Sequence, residues 1–275
     1  MSRKYPFLVA GLPELTADLE AGSFNLPALK EEVETLLSEK DAEALRWLCY
    51  PFDNHNLVCL LQGKSGFSPL GSMTPEELRA RVEEISDLPD YMTAFLECYT
   101  GKDASRPERI QSPHPEDDLA DDFHWAAAEH PVRFIRDWFA FDLEWRNVIA
   151  AIVARKYRLQ QQALGEGDVT DALRSGTAAD FGLKQQRPWI EPLLQIMDMP
   201  DIVQRELKLD LLQWEELDTM AAMHDFDTVT VLAWMQKAIM VQRRMLWNAE
   251  AGRELVRRWL ADTQGSFDLK QVLTS

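Results

Sequence analysis

The densest run of metal-competent side chains lies between Glu116 and His130: Glu116-Asp117-Asp118, Asp121-Asp122, His124, Glu129 and His130. Carboxylates combined with imidazoles suit divalent metals. Asp121 and His124, three residues apart, would share one face of a helix. A metal-dependent helical hydrolase would need such a set. The order of the residues matches neither HExxH, nor an EF-hand loop, nor paired Glu-x-x-His motifs, and acidic residues gather at helix amino termini for electrostatic reasons alone. The segment is therefore read as the acidic start of a helix, with a contact surface for a basic partner as its functional role and the hydrolase as the alternative.

Other constellations carry less. Gln62-Gly63-Lys64-Ser65-Gly66 ends like a phosphate-binding loop, but the glycine required five residues before Gly63 is Val58, and the segment follows a helix rather than a strand. Glycine there is a helix stop. His224-Asp225 is similar to the dyad of helical metal phosphohydrolases, yet the five histidines offer no ordered set of further ligands, so it is read as a loop before the last helix. Asp180-Phe181-Gly182 stands without any other kinase element. No Gly-x-Ser-x-Gly and no Cys/His arrangement supplies a nucleophile. The expectation is a protein with no catalytic residues, no metal site and no cofactor.

The elements that would position any site belong to a chain of 275 residues, long enough to bury a large core. Forty-six acidic against 29 basic residues give a formal charge of −17. Such a surface repels phosphate backbones and anionic headgroups, which excludes nucleic acid and direct lipid anchoring and leaves proteins with basic faces as partners. Cys49, Cys59 and Cys98 lack CxxC spacing and sit in apolar helical contexts, which fits a reducing compartment. Basic residues at Arg3 and Lys4 precede an apolar run that stops at Gly11-Leu12-Pro13, too short for a signal peptide. No stretch approaches a spanning helix, so the expected location is cytoplasmic, peripheral to the inner membrane through other proteins.

Helical signals dominate, and the fold class read from them is all-α. Tyr5 to Ala10 reads as a short strand or extended arm. Asn25 precedes a helix with Pro27 early in it and apolar residues at Leu29, Val33, Leu36 and Leu37. Asp41 opens a second helix through Cys49. Thr74-Pro75-Glu76-Glu77 is a capping box, and Leu88 to Tyr99 a further helix. Gly101 to His114 reads as a linker, with breaks at Gly165-Glu166-Gly167, Ser175-Gly176-Thr177 and Met199-Pro200. The last pattern runs from Thr228 to about Ala261, buried along Val231, Leu232, Met235, Ile239, Leu246, Leu255 and Trp259. These divisions give a first helical unit over 1–100, a linker over 101–114, a second unit over 115–175 and a third over 176–275 within one compact chain.

A weak internal repeat crosses the units. Phe52-Asp53, Asn56 and an apolar helix ending in Lys64 are echoed by Phe141-Asp142, Asn147 and a helix ending in Arg155-Lys156. Phe226-Asp227 with Lys237 forms a looser third copy that lacks the Asn. In each copy Asp would cap a helix start while Phe packs outside it as a staple, and Asn would tie its amide to a neighbouring turn. These segments resemble the repeated helical signature of the rotor-cap subunit of V-type ATP synthases. Tyr5 to Pro13 with Tyr50 to Lys64 is similar to a bacterial family of unknown function found with the subunits of those synthases, and Trp234 to Leu246, with Arg243-Arg244, resembles its closing helix.

The resemblance implies a funnel-like helical protein of pseudo-threefold organisation. It would be a non-catalytic rotor cap between the membrane rotor ring and the central shaft of a V-type ATP synthase, with the central-stalk subunits and the ring as partners; a free-standing helical adaptor is the other non-enzymatic alternative. Arg243, Arg244, Arg253, Arg257 and Arg258 form a basic stripe on the final helix, read as a solvated face, with a partner contact as the second reading.

Overall fold

A computed structural model describes residues 3–16, 25–159 and 163–245. Among them are eleven α-helices and no strand. The chain runs through α1 (Pro6–Gly11), α2 (Leu26–Leu36), α3 (Glu39–Leu61), α4 (Pro75–Glu84), α5 (Asp90–Tyr99), a 3₁₀ turn at Pro107–Arg109, α6 (Pro115–Ala128), α7 (Arg133–Tyr157), α8 (Asp168–Ser175), α9 (Ile190–Met197), α10 (Ile202–Ala221) and α11 (Thr228–Met245).

The predicted local signals act where they stand. Asn25 accepts the Ala28 N–H at 3.3 Å to cap α2. Thr74 and Glu77 exchange both bonds of the capping box, 3.2 and 2.8 Å, at α4. Gly63, at φ +64°, follows the end of α3, as a left-handed stop does. Two expectations need correction. Pro6 presets a helical φ at the first position, so residues 6–11 form α1 rather than a strand or arm; only Lys4 pairs in β fashion, with Asp227. Asp41 does not open α3 either, because Ser38 caps it, and the helix runs on through Pro51 to Leu61. Pro51 removes only the bond to the Trp47 carbonyl, and packing of both halves holds the rest together.

α7 is the central element, lying against α6, α8, α10 and α3. On one flank Phe139 meets Phe123 edge to face, centroids 4.7 Å apart, and Phe123 in turn packs on Trp47 and Tyr91. On the other, Phe141 bridges Trp138, Trp145 and Trp189 at 5.5 to 5.6 Å. Each such ring pair is worth about 0.5–1.5 kcal/mol beyond its area. The remaining apolar contacts join these two clusters into one core. The segment 101–114 is tied down on both sides: Gln111 N–H reaches the Tyr99 carbonyl, and Arg106 and Arg109 reach across to α6.

Phe123 and Trp125 sit two residues apart on α6 with opposite environments, buried and 77% exposed. Phe123→Ala should lower unfolding free energy by about 3–5 kcal/mol, while Trp125→Ala should stay within about 0.5 kcal/mol, as read from urea denaturation of the two variants.

Candidate functional site

The sequence-marked residues fall into two kinds of place: clamps that hold loops, and one cleft. Asp53 and Asn56, one turn apart on α3, face the loop leading to α4. Asp53 is wholly buried and accepts the N–H groups of Ser72, at 2.8 and 2.9 Å, and of Met73, at 3.2 Å. Asn56 holds Ser68 from both sides, accepting its N–H at 2.7 Å and donating to its carbonyl at 3.1 Å. Lys30 of α2 closes the cradle by donating to the Gly71 carbonyl at 2.7 Å. Removal from water is the larger influence on Asp53 and pushes its carboxyl up to about 6, against the pull of those N–H groups and Lys30. Gly71 lies so close that a Cβ there would stand 2.5 Å from Asp53 Oδ1 and 2.9 Å from Asn56 Nδ2.

Asn147 on α7 repeats the two-sided clamp, accepting the Leu164 N–H at 3.0 Å and donating to its carbonyl at 2.8 Å ahead of α8. The amide tie expected of both asparagines is therefore present. The capping expected of the aspartates is not, for two of the three. Asp53 and Asp142 lie inside α3 and α7, so neither caps, and Phe52 and Phe141 pack within the helices rather than outside them. Asp142 instead pairs with Arg146 at 2.8 Å. Only Asp227 sits at a helix start, taking the N–H groups of Val229 and Thr230 at 3.0 and 3.3 Å. Phe226 before it is half exposed in a left-handed backbone, φ +55°, and so makes no staple. Burial works against ionisation of Asp227, but the bonds from His224 (2.9 Å) and Thr230, with Lys4 nearby, hold its carboxyl below the ordinary value. The cations of the second and third copies differ as well: Arg155, near the end of α7, donates to the Ala178 and Gly176 carbonyls over the Phe181 ring, and Lys237, inside α11, pairs with Asp218 over Trp214.

Asp41 ties the chain's beginning to its last described helix. Its carboxylate receives the Tyr5 hydroxyl at 2.5 Å, Ser38 at 2.7 Å and Thr228 of α11 at 3.1 Å. Around this junction opens a cleft of about 950 Å³. The amino termini of α3 (Ser38, Lys40), α7 (Val132, Arg133) and α11 (Thr228, Val229) all line it, facing Met220 and Met223 at the end of α10. These are the three helices that bear or follow the Phe-Asp dipeptides, although the dipeptide sits at a different depth in each.

A family model described as "Protein of unknown function (DUF2764)" matches residues 1–263. The chain belongs to the DUF2764 family. No curated protein and no solved structure matches it.

In this DUF2764 chain the residues from 116 to 130 are shared out among cations and other partners. Arg109 takes Asp121 at 3.0 Å and Asp122 at 2.7 Å, Arg106 shares Asp122, and Glu116 accepts from Gln62. His124 turns towards Asp142, 3.8 Å away, and His130 towards Glu43 and the Trp47 ring. No group of three metal-competent side chains converges among the described residues. Arg243 and Arg244 both reach the buried Asp210 of α10; Arg253, Arg257 and Arg258 lie outside the described residues. His224-Asp225 does precede the last helix, but His224 engages Asp227 across the turn. Among the described residues no helix is long and apolar enough to cross a membrane.

Sequence reasoning missed Lys30, Gly71 and Asp210, and gave Asp41 only a helix start. Lys30 and Asp210 carried a signal, a charge placed on the apolar face of its helix; Gly71 carried none, since only the approach of Asp53 makes it necessary.

Gly71→Ala should cost about 1–3 kcal/mol or more through that clash, whereas Gly11→Ala, with open space around it, should be neutral or slightly stabilising, both read from thermal unfolding. Burial also lowers the affinity of His124 and His130 for protons, outweighing Asp142 and Glu43. Their neutral forms therefore contribute stability that is complete above the unfolded value of about 6.5 and is lost as pH falls through the folded values. NMR titration should place both rings below 6.5, and the urea midpoint should drop as pH falls below about 7, a drop that Asp53, about half protonated near pH 6, increasingly opposes.

Proposed function

We propose that the protein is a non-catalytic helical connector that acts through protein contacts, and that its assembly is a rotary V-type ATP synthase. In that assembly it links the membrane rotor ring to the central shaft, on the cytoplasmic side and peripheral to the inner membrane through the other subunits. Three helical units centred on α3, α7 and α11 form the walls of a funnel, the first within 1–100, the second within 115–175 and the third from 176 on, with 101–114 as connector.

The observation that carries this reading is the convergence of the α3, α7 and α11 amino termini around one cleft. Three-sided ends of this kind suit a shaft or a helix tip better than a flat partner. A part that transmits torque must also hold its shape under load. The two-sided Asn clamps, the Asp53 cradle and the aromatic flanks of α7 supply stiffness between elements, not only within them. The resemblance of the Phe-Asp segments to the rotor cap of V-type ATP synthases supports the choice of assembly.

A tagged copy of the chain isolated from native membranes in mild detergent should bring down the central-stalk subunits and the rotor ring. Repeated isolation without them, from extracts that retain intact ATP synthase, would overturn the assembly.

A further inference from the structure

The end cleft differs in charge from the rest of the molecule. The chain carries −17 overall, yet the cleft's rim presents Arg3, Lys40 and Arg133. Arg3 lies over the Tyr5 ring, and neither Arg3 nor Lys40 forms a salt bridge among the described residues. Arg133 shares Asp137 at 3.0 Å but keeps a side chain 84% exposed. Of the two acids that line the cleft, Asp41 is buried under Tyr5, Ser38 and Thr228, and Asp137 is the partner of Arg133, which leaves the lining with three cations against one exposed carboxylate. The amino terminus of α7, which has no side-chain cap, adds its partial positive charge. The lining also offers apolar side chains, Val132, Val229, Met220 and Met223, of which Met223 is 92% exposed.

We propose that this cleft is a docking groove for the tip of an acidic amphipathic helix on a partner protein. A helix about 11 Å across, rising 1.5 Å per residue, fills 950 Å³ with roughly two turns. Its acidic face meets Arg3, Lys40 and Arg133, while its apolar face meets the thioethers, which adapt to side chains of different shape. The same field turns away basic helices, and the acidic remainder of the surface turns away a second copy of this chain. The inference rests on the reading that the protein works through contacts, and it stands whether or not the assembly is a rotary ATP synthase.

The test uses the full chain and two fluorescein-labelled synthetic helical peptides, one with leucines on one face and glutamates on the other, its twin with lysines in place of the glutamates. Fluorescence anisotropy should show binding of the glutamate peptide, weakened at least tenfold by K40E/R133E and by high salt, and weakened by Met223→Asp. Arg79→Glu, on the remote α4, should leave it unchanged, and the lysine peptide should not bind. Circular dichroism and melting temperature establish that each variant is folded, and because Met223 is so exposed its variant remains informative if the charge reversal is not. Equal binding of both peptides, binding unmoved by the cleft variants, or no binding up to about 1 mM would overturn the proposal. Peptide binding without recovery of ATP synthase subunits leaves the groove standing and removes the assembly; the reverse result removes the groove alone.

Discussion

A carboxylate withdrawn from water is stable only if donors meet it, and the donors that meet Asp41 come from separate parts of the chain. Tyr5 lies near the beginning, Ser38 at the cap of α3, and Thr228 at the start of α11. The requirement of one buried oxygen pair therefore fixes three elements at a common point. The short backbone pairing of residues 3–5 with 226–228 follows from the same junction. Without it α11 would keep its apolar contacts with α3 and α2 but lose the registry of its amino terminus, and with that the geometry of the cleft.

The same logic recurs at smaller scale. Asp53, Asn56 and Asn147 stand inside helices, where short polar side chains are poor residues by propensity. They are tolerated because each satisfies backbone groups of a loop that would otherwise cross an apolar surface with its N–H and C=O groups unpaired. Hydrophobic area holds the helices together without specifying how the loops lie; the clamps decide that. Asp210 completes the pattern between α10 and α11, where two arginines balance one buried charge.

Much of the local structure was legible in the residues. The capping box at Thr74, the Asn25 cap, the glycine stop after α3 and the buried stripe Val231, Leu232, Met235, Ile239 are all encoded within a turn or two of sequence. So was the role of the two asparagines, since an amide in an apolar helix must find partners. The roles assigned to Asp53 and Asp142 were not legible. A Phe-Asp pair looks the same at a helix start as in a helix interior, and Pro51 resembles a boundary although the helix passes through it.

By itself the sequence determined that the chain is helical, where its strongest caps and stops lie, and that its surface is acidic, because these depend on propensity, period and composition. Only the tertiary structure decided which polar residues serve loops, which face the cleft and which neutralise one another. Arg109 faces carboxylates that looked like metal ligands, and Arg243 and Arg244 turn towards an aspartate more than thirty residues away. Such pairings depend on how helices distant in sequence come to lie side by side. No local pattern contains that information, because the energy of burying a charge is settled only when its partner arrives.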